Sequence, residues 1–125
     1  MYFEFSDSEI AHCRWESGRL QLRFSAACIW EEATAHAEPV WAPVLLTAEQ
    51  VEPWEAFDPN ACLGRMRQGW VLHASERRLQ LPIPCELHGV VTMELEFAHG
   101  QSVRVRCQGL TIQRLEGPVV GAYQC

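Results

Sequence analysis

Six cysteines, at positions 13, 28, 62, 85, 107 and 125, and five histidines are the residues of this chain best suited to metal binding or nucleophilic chemistry. A structural zinc site usually draws its ligands from two close Cys/His pairs. The only close spacing here is Cys85-Glu86-Leu87-His88, with no second pair to complete a tetrahedron. His12 and Cys13 are neighbours, and on a strand adjacent side chains point to opposite faces. No metal or other cofactor is therefore expected. A catalytic thiol needs partial exposure, a lowered pKa and a nearby base. Cys62 and Cys85, read as loop residues with His88 in sequence reach of Cys85, are the candidates for such a thiol-dependent enzyme. No known catalytic signature surrounds either one. Free cysteine most often serves as a small buried hydrophobe, and reduced core thiols are the expectation.

Carboxylates are the next source of chemistry. Residues 31–64 hold Glu31, Glu32, Glu38, Glu49, Glu52, Glu55 and Asp58, and no arginine. Glycoside hydrolysis would need two of them facing each other across a cleft, and a solvated acidic segment explains them more simply. The motifs G-x-G-x-x-G, G-x-S-x-G and H-E-x-x-H are absent, and "DPNACLG" lacks the spacing of a calcium loop. All ten basic residues are arginines. Without lysine there is no Schiff base and no P-loop. The arginine bias points to a GC-rich bacterial genome. A net charge of −6 leaves no basic stripe for phosphate contacts, so nucleic acid is not expected as a partner.

Five tryptophans stand at 15, 30, 41, 54 and 70. Trp15, Trp30 and Trp70 fall in regular apolar series. Trp41 and Trp54 fall in the stretch with Pro39, Pro43, Pro53 and Pro59. Tryptophan and arginine are enriched where partners bind, which makes Trp41, Trp54, Phe57, Arg65 and Arg67 the candidate ligand- or partner-binding residues. Arg65 and Arg67 belong, on this reading, to a long loop over 52–68, and such loops often carry function.

The elements that would position these residues follow from a period-2 pattern. A turn at Ser17-Gly18 sets Trp15 against Leu20, Cys13 against Leu22 and Ala11 against Phe24, with Glu16 and Arg19 closing the turn. The phrase "GRLQLRF" at 18–24 returns as "RRLQLPI" at 77–83. A turn centred on Ser75-Glu76 would there pair Leu72 with Leu79 and Trp70 with Leu81. A loop at Ala98-His99-Gly100 pairs Leu95 with Val103, Met93 with Val105, Val91 with Cys107 and Glu94 with Arg104. Each register puts the apolar side chains on one face, and a one-residue slip would turn them to water. Further strands are expected at Tyr2–Phe5, around Val44–Val51 and at Leu110–Leu115. The expected fold is all-β: an antiparallel meander of eight or nine strands forming a small barrel or a two-sheet sandwich in a single domain, 1–125.

No apolar run reaches the ~20 residues of a membrane-spanning helix. MYFEFSDSEI lacks the charge pattern of a signal peptide. A cytoplasmic location without membrane contact is the expectation. With no catalytic constellation, the sequence reads as a non-catalytic protein-interaction module, its acidic stretch suited to a basic surface. Self-association through edge strands is also expected. The alternative is a small-molecule carrier holding an apolar ligand in a barrel cavity.

Overall fold

The period-2 segments form long, bent strands in the computed structural model, which describes residues 1–31, 38–52, 58–118 and 120–121. These are β1 (Tyr2–Glu16), β2 (Arg19–Trp30), β3 (Val40–Glu49), β4 (Gly64–His73), β5 (Glu76–Arg78), β6 (Gln80–Pro82), β7 (Cys85–Phe97), β8 (Ser102–Arg114) and β9 (Val120–Gly121). One 3-10 turn, Pro59–Cys62, precedes β4. Among the described residues no helix is long and apolar enough to cross a membrane.

The strands run as two antiparallel meanders, β1-β2-β3 and β4-β7-β8. Pairing of β3 with β8 joins them along one side, and pairing of β1 with β4 joins them along the other. The result is a closed barrel of six strands, to which the short β5, β6 and β9 add. The β1–β4 seam is brief: Glu9 faces Arg65 and Ile10 faces Gly64. At the far end the seam is filled by the segment after β4, which pairs first with β4 as β5 and then with β1 as β6.

Six strands enclose less space than the eight whose interior side chains just fill. Four phenylalanines, Phe3, Phe5, Phe24 and Phe97, are fully buried with Leu20, Leu22, Leu46, Met66, Leu81 and Met93. Phe3 meets Phe5 and Phe24 edge-on, at ring separations of 4.8 and 5.1 Å. Each such side chain contributes roughly 1.5–3 kcal/mol of burial free energy, so the core carries most of the stability.

Two expected hairpins form nearly as the alternation dictates. Leu95, Met93, Val91 and Glu94 face Val103, Val105, Cys107 and Arg104. Trp15 and Cys13 face Leu20 and Leu22, but Phe24 faces Ile10 instead of Ala11. A register shift between Ile10 and His12 leaves Ala11 as the extra residue of a bulge, which adds local twist. Glu16 does lie opposite Arg19, yet their charges go elsewhere: Arg14 binds Glu16, and Arg19 reaches Glu49 at 3.0 Å.

The middle hairpin departs from expectation. Its turn is Ala74-Ser75, both with positive φ (50° and 64°), so His73 faces Glu76 and Leu72 faces Arg77. Leu72 and Leu79 consequently face outward, at 38% and 54% exposure, and Val71 takes the inward place. Leu81 pairs with Phe3 of β1 and not with Trp70. The chain tolerates this register because the segment changes partner at Leu79, leaving β4 for β1. The expected loop over 52–68 is also shorter, since β4 begins at Gly64. Arg65 and Arg67 are strand residues.

Candidate functional site

The predicted site residues do not come together. Trp54 and Phe57 lie outside the described residues. Trp41 is on β3, and Arg65 and Arg67 are on β4, with two strands between β3 and β4 whichever way round the barrel is followed. Arg65 binds Asp7 at 3.0 Å across the β1–β4 seam. Arg67 binds Glu96 at 3.0 Å, and the Gln68 amide donates to the same carboxylate at 2.7 Å. All of these groups are at the surface, where such pairs contribute little. Their acids leave neither arginine free for an anion.

Trp41 keeps different company. On β1, Phe3 and Phe5 point inward, so Tyr2 and Glu4 point outward. On β2, Ile29 points inward and Trp30 outward. On β3, Ala42 and Val44 point inward and Trp41 outward. The registers then align Pro82, Tyr2 and Trp30 across three strands, and Gln80, Glu4, Cys28 and Trp41 across four. Tyr2 is 40% exposed, and Trp30 and Trp41 are half-buried. The Trp30 indole Nε1 donates to Glu4 Oε2 at 2.8 Å, and the Cys28 thiol points at the same oxygen from 4.0 Å. Glu31 and Glu38, both exposed, flank this face in sequence.

The local backbone fixes Glu4 in place. β1 loses register with β2 between Glu4 and Glu9, and Asp7 takes a left-handed φ of 65°. Ser8 repairs the break. Its Oγ donates to the Glu4 carbonyl at 2.7 Å and accepts from the Cys28 amide at 2.8 Å, while the residue itself is fully buried. An unpaired buried backbone group costs free energy comparable to a lost hydrogen bond, so one hydroxyl satisfies two groups that the bulge would orphan. The sequence reading missed Tyr2, Glu4 and Trp30. Their alternation with Phe3, Phe5 and Ile29 was legible, but which outward residues would be strand neighbours was not.

The thiols are distributed differently from expectation. Cys62 is fully buried at the end of the 3-10 turn, not displayed on a loop. It hydrogen-bonds the half-buried Cys13 of β1. This bond holds the Cys13 thiol below its ordinary range, against the opposing effects of burial and of Asp58. The same bond, with burial, pushes Cys62 up. Cys85 points inward on β7, where burial raises it and Arg78 partly offsets the rise. His88 points to the other face and lies 3.4 Å from Glu86, so the expected Cys85–His88 proximity does not occur. Burial likewise raises Cys107.

Among the described residues, no three His, Cys, Asp or Glu side chains converge as metal ligands would. A groove of about 420 Å³ lies at the β1–β2 turn, lined by Arg14, Glu16, Ser17, Arg19, Gln21 and Glu49. Its arginines are already paired with Glu16 and Glu49. Comparison of the chain with protein-family models, with curated proteins and with solved structures found no match.

Proposed function

We propose that this chain is a non-catalytic protein-interaction module that holds a basic segment of a partner protein on the outer face of β1, β2 and β3. The observation that carries the reading is the Glu4 carboxylate, bound to the Trp30 indole on an outer face that Tyr2 and Trp41 share. A carboxylate on a face that also carries aromatic side chains suits an arginine or lysine side chain. The charge pairs with the carboxylate, and the flat stem packs on the rings. Glu31 and Glu38 add long-range attraction for a basic partner. Aromatic residues at such positions typically supply the binding energy of an interface.

The ring-filled interior of the six-stranded barrel supports this reading over that of a small-molecule carrier. The arginine-only basic content supports a bacterial host. A second copy of the chain, placing one of its own arginines on this same face, is the competing occupant.

The test is a titration of ¹⁵N-labelled protein with hexa-arginine, with hexa-glutamate as the control. Shifts of the Trp30 and Trp41 indole signals by hexa-arginine alone, weakened at least about tenfold by Glu4→Gln, support the module. Shifts that are unchanged in Glu4→Gln, or that spread evenly over all surface acids, overturn it. Light scattering that gives a dimer whose formation Glu4→Gln abolishes identifies the partner as a second copy.

A further inference from the structure

Among the described residues, the Cys13–Cys62 pair is a cluster of nucleophilic side chains that the interaction face does not use. We propose that these two residues form a redox-modification site, closing to a reversible disulfide on exposure to hydrogen peroxide. The inference is independent of the aromatic face.

Three features of the geometry support it. First, β1 and β4 pair with Ile10 opposite Gly64 and Glu9 opposite Arg65. The 3-10 turn Pro59–Cys62 that precedes this seam lies against β1, and Cys13 packs on the buried cluster that includes Cys62. Second, the two thiols are hydrogen-bonded neighbours. Third, the two differ in access. Cys13 is half-buried and reachable, whereas Cys62 has no exposed surface. A small oxidant meets Cys13 first.

The chemistry assigns each residue a distinct part. The Cys62 S–H donates to the Cys13 sulfur, which favours the thiolate there, and the thiolate is the nucleophile. Cys13 attacks one peroxide oxygen and the O–O bond breaks. Hydroxide leaves with the electron pair, takes a proton and becomes water, and Cys13 is now a sulfenic acid. The charge that Cys62 was bonded to has then been consumed. The Cys13 part of what holds Cys62 protonated falls away with it, while burial and Asp58 still act. Cys62 gives up its proton and attacks the Cys13 sulfur. The S–O bond breaks, the departing hydroxide takes that proton and a second water is released. Two thiols have been oxidised by two electrons, and one peroxide has been reduced to two waters. A dithiol restores the starting state by exchange.

The other described cysteines are placed differently. Cys28, on β2, points at the Glu4 carboxylate. Cys85 and Cys107 lie on β7 and β8, and burial keeps both protonated. The consequence of closure is local. The turn Pro59–Cys62, capped by Asp58 accepting from the Asn60 amide at 2.9 Å, becomes covalently pinned to β1.

The experiment treats the reduced, folded protein with one equivalent of hydrogen peroxide and then alkylates the remaining thiols. Digestion with trypsin and Glu-C without reductant separates Cys28 from Cys62 for mass spectrometry. The expected product is a Cys13–Cys62 cross-linked peptide that dithiothreitol dissolves, with Cys28, Cys85 and Cys107 alkylated. Alkylation of both Cys13 and Cys62 after peroxide, a cross-link from Cys13 to any other cysteine, or a stable sulfinic acid at Cys13 overturns the proposal. In Cys62→Ser, Cys13 is expected to stop at the sulfenic acid and to be trapped by dimedone. Absence of that adduct in a folded variant also overturns it. A measurement on the unaltered chain covers variants that fail to fold: iodoacetamide at neutral pH should modify Cys13 at least about tenfold faster than Cys62, Cys85 or Cys107. Equal rates exclude Cys13 as the attacking thiol.

Discussion

Phe5 packs directly on the backbone of Gly69: a Cβ built at 69 would stand 2.9 Å from both Cβ and Cγ of Phe5, and 3.1 Å from the Glu94 carbonyl oxygen. Gly69 is buried on β4, and Phe5 is fully buried on β1. The two strands share only a short seam near Glu9 and Ile10. Beyond it, the Phe5 ring reaches β4 where a hydrogen stands in place of a side chain. Gly69→Ala is therefore expected to destabilise the fold by about 1–3 kcal/mol, the usual cost of forcing extra atoms into a packed core. A lowered urea midpoint with unchanged slope is the expected reading. An unchanged midpoint would mean that Phe5 can retreat freely.

The strand that changes partner at Leu79 makes a contrast between neighbours. Leu81 is fully buried against Phe3, and Leu79 is 54% exposed. Leu81→Ala should cost about 2–5 kcal/mol, whereas Leu79→Ala should stay within about 0.5 kcal/mol. Thermal melts of the two variants distinguish this register from one in which Leu79 and Leu72 pair inside the barrel, which would make both truncations costly.

Stability should fall in alkali. Burial raises Cys85 and Cys107 above the ordinary thiol value of 9.0, and Cys62 is raised as well. The unfolded chain ionises these thiols from about that value, while the native chain keeps them protonated. Their contribution is whole below 9.0 and is lost as pH rises through the native values. Cys13 is lowered and acts oppositely, its contribution being present above the unfolded value and lost as pH falls through the native one. The Cys13 and Cys62 shifts oppose each other, and the burial of Cys85 and Cys107 sets the sign. The urea midpoint should drop between neutral pH and about pH 10, and Cys107→Ala should flatten that drop. A midpoint that rises in alkali would contradict the sign.

How much was legible beforehand differs by element. The hairpin around Ala98-His99-Gly100 could be read to the residue, because Leu95, Met93 and Val91 alternate without interruption and Gly100 supplies the positive φ of 97°. The first hairpin was legible up to Ala11, where a bulge with no marker residue shifts the frame. The Ala74-Ser75 turn was not legible. Neither residue advertises a left-handed conformation, and both adopt it because the strands on either side demand the register. For the candidate site, Trp41 was singled out by its proline-rich setting. Tyr2, Glu4 and Trp30 were not, since nothing local distinguishes an outward aromatic with a neighbour from one without.

The sequence by itself determined the period-2 alternation, hence antiparallel strands, the inward set of phenylalanines and leucines, and the absence of familiar catalytic motifs. These are properties of neighbouring residues, and a strand's two faces are decided over a few positions. Only the tertiary structure decided that the sheet closes with six strands, that β6 leaves β4 for β1, that Tyr2, Glu4, Trp30 and Trp41 share one outer face, and that Cys62 meets Cys13. Each of these joins residues far apart in the chain. Such pairings follow from how the whole sheet curls to bury its core, and no single segment holds that information.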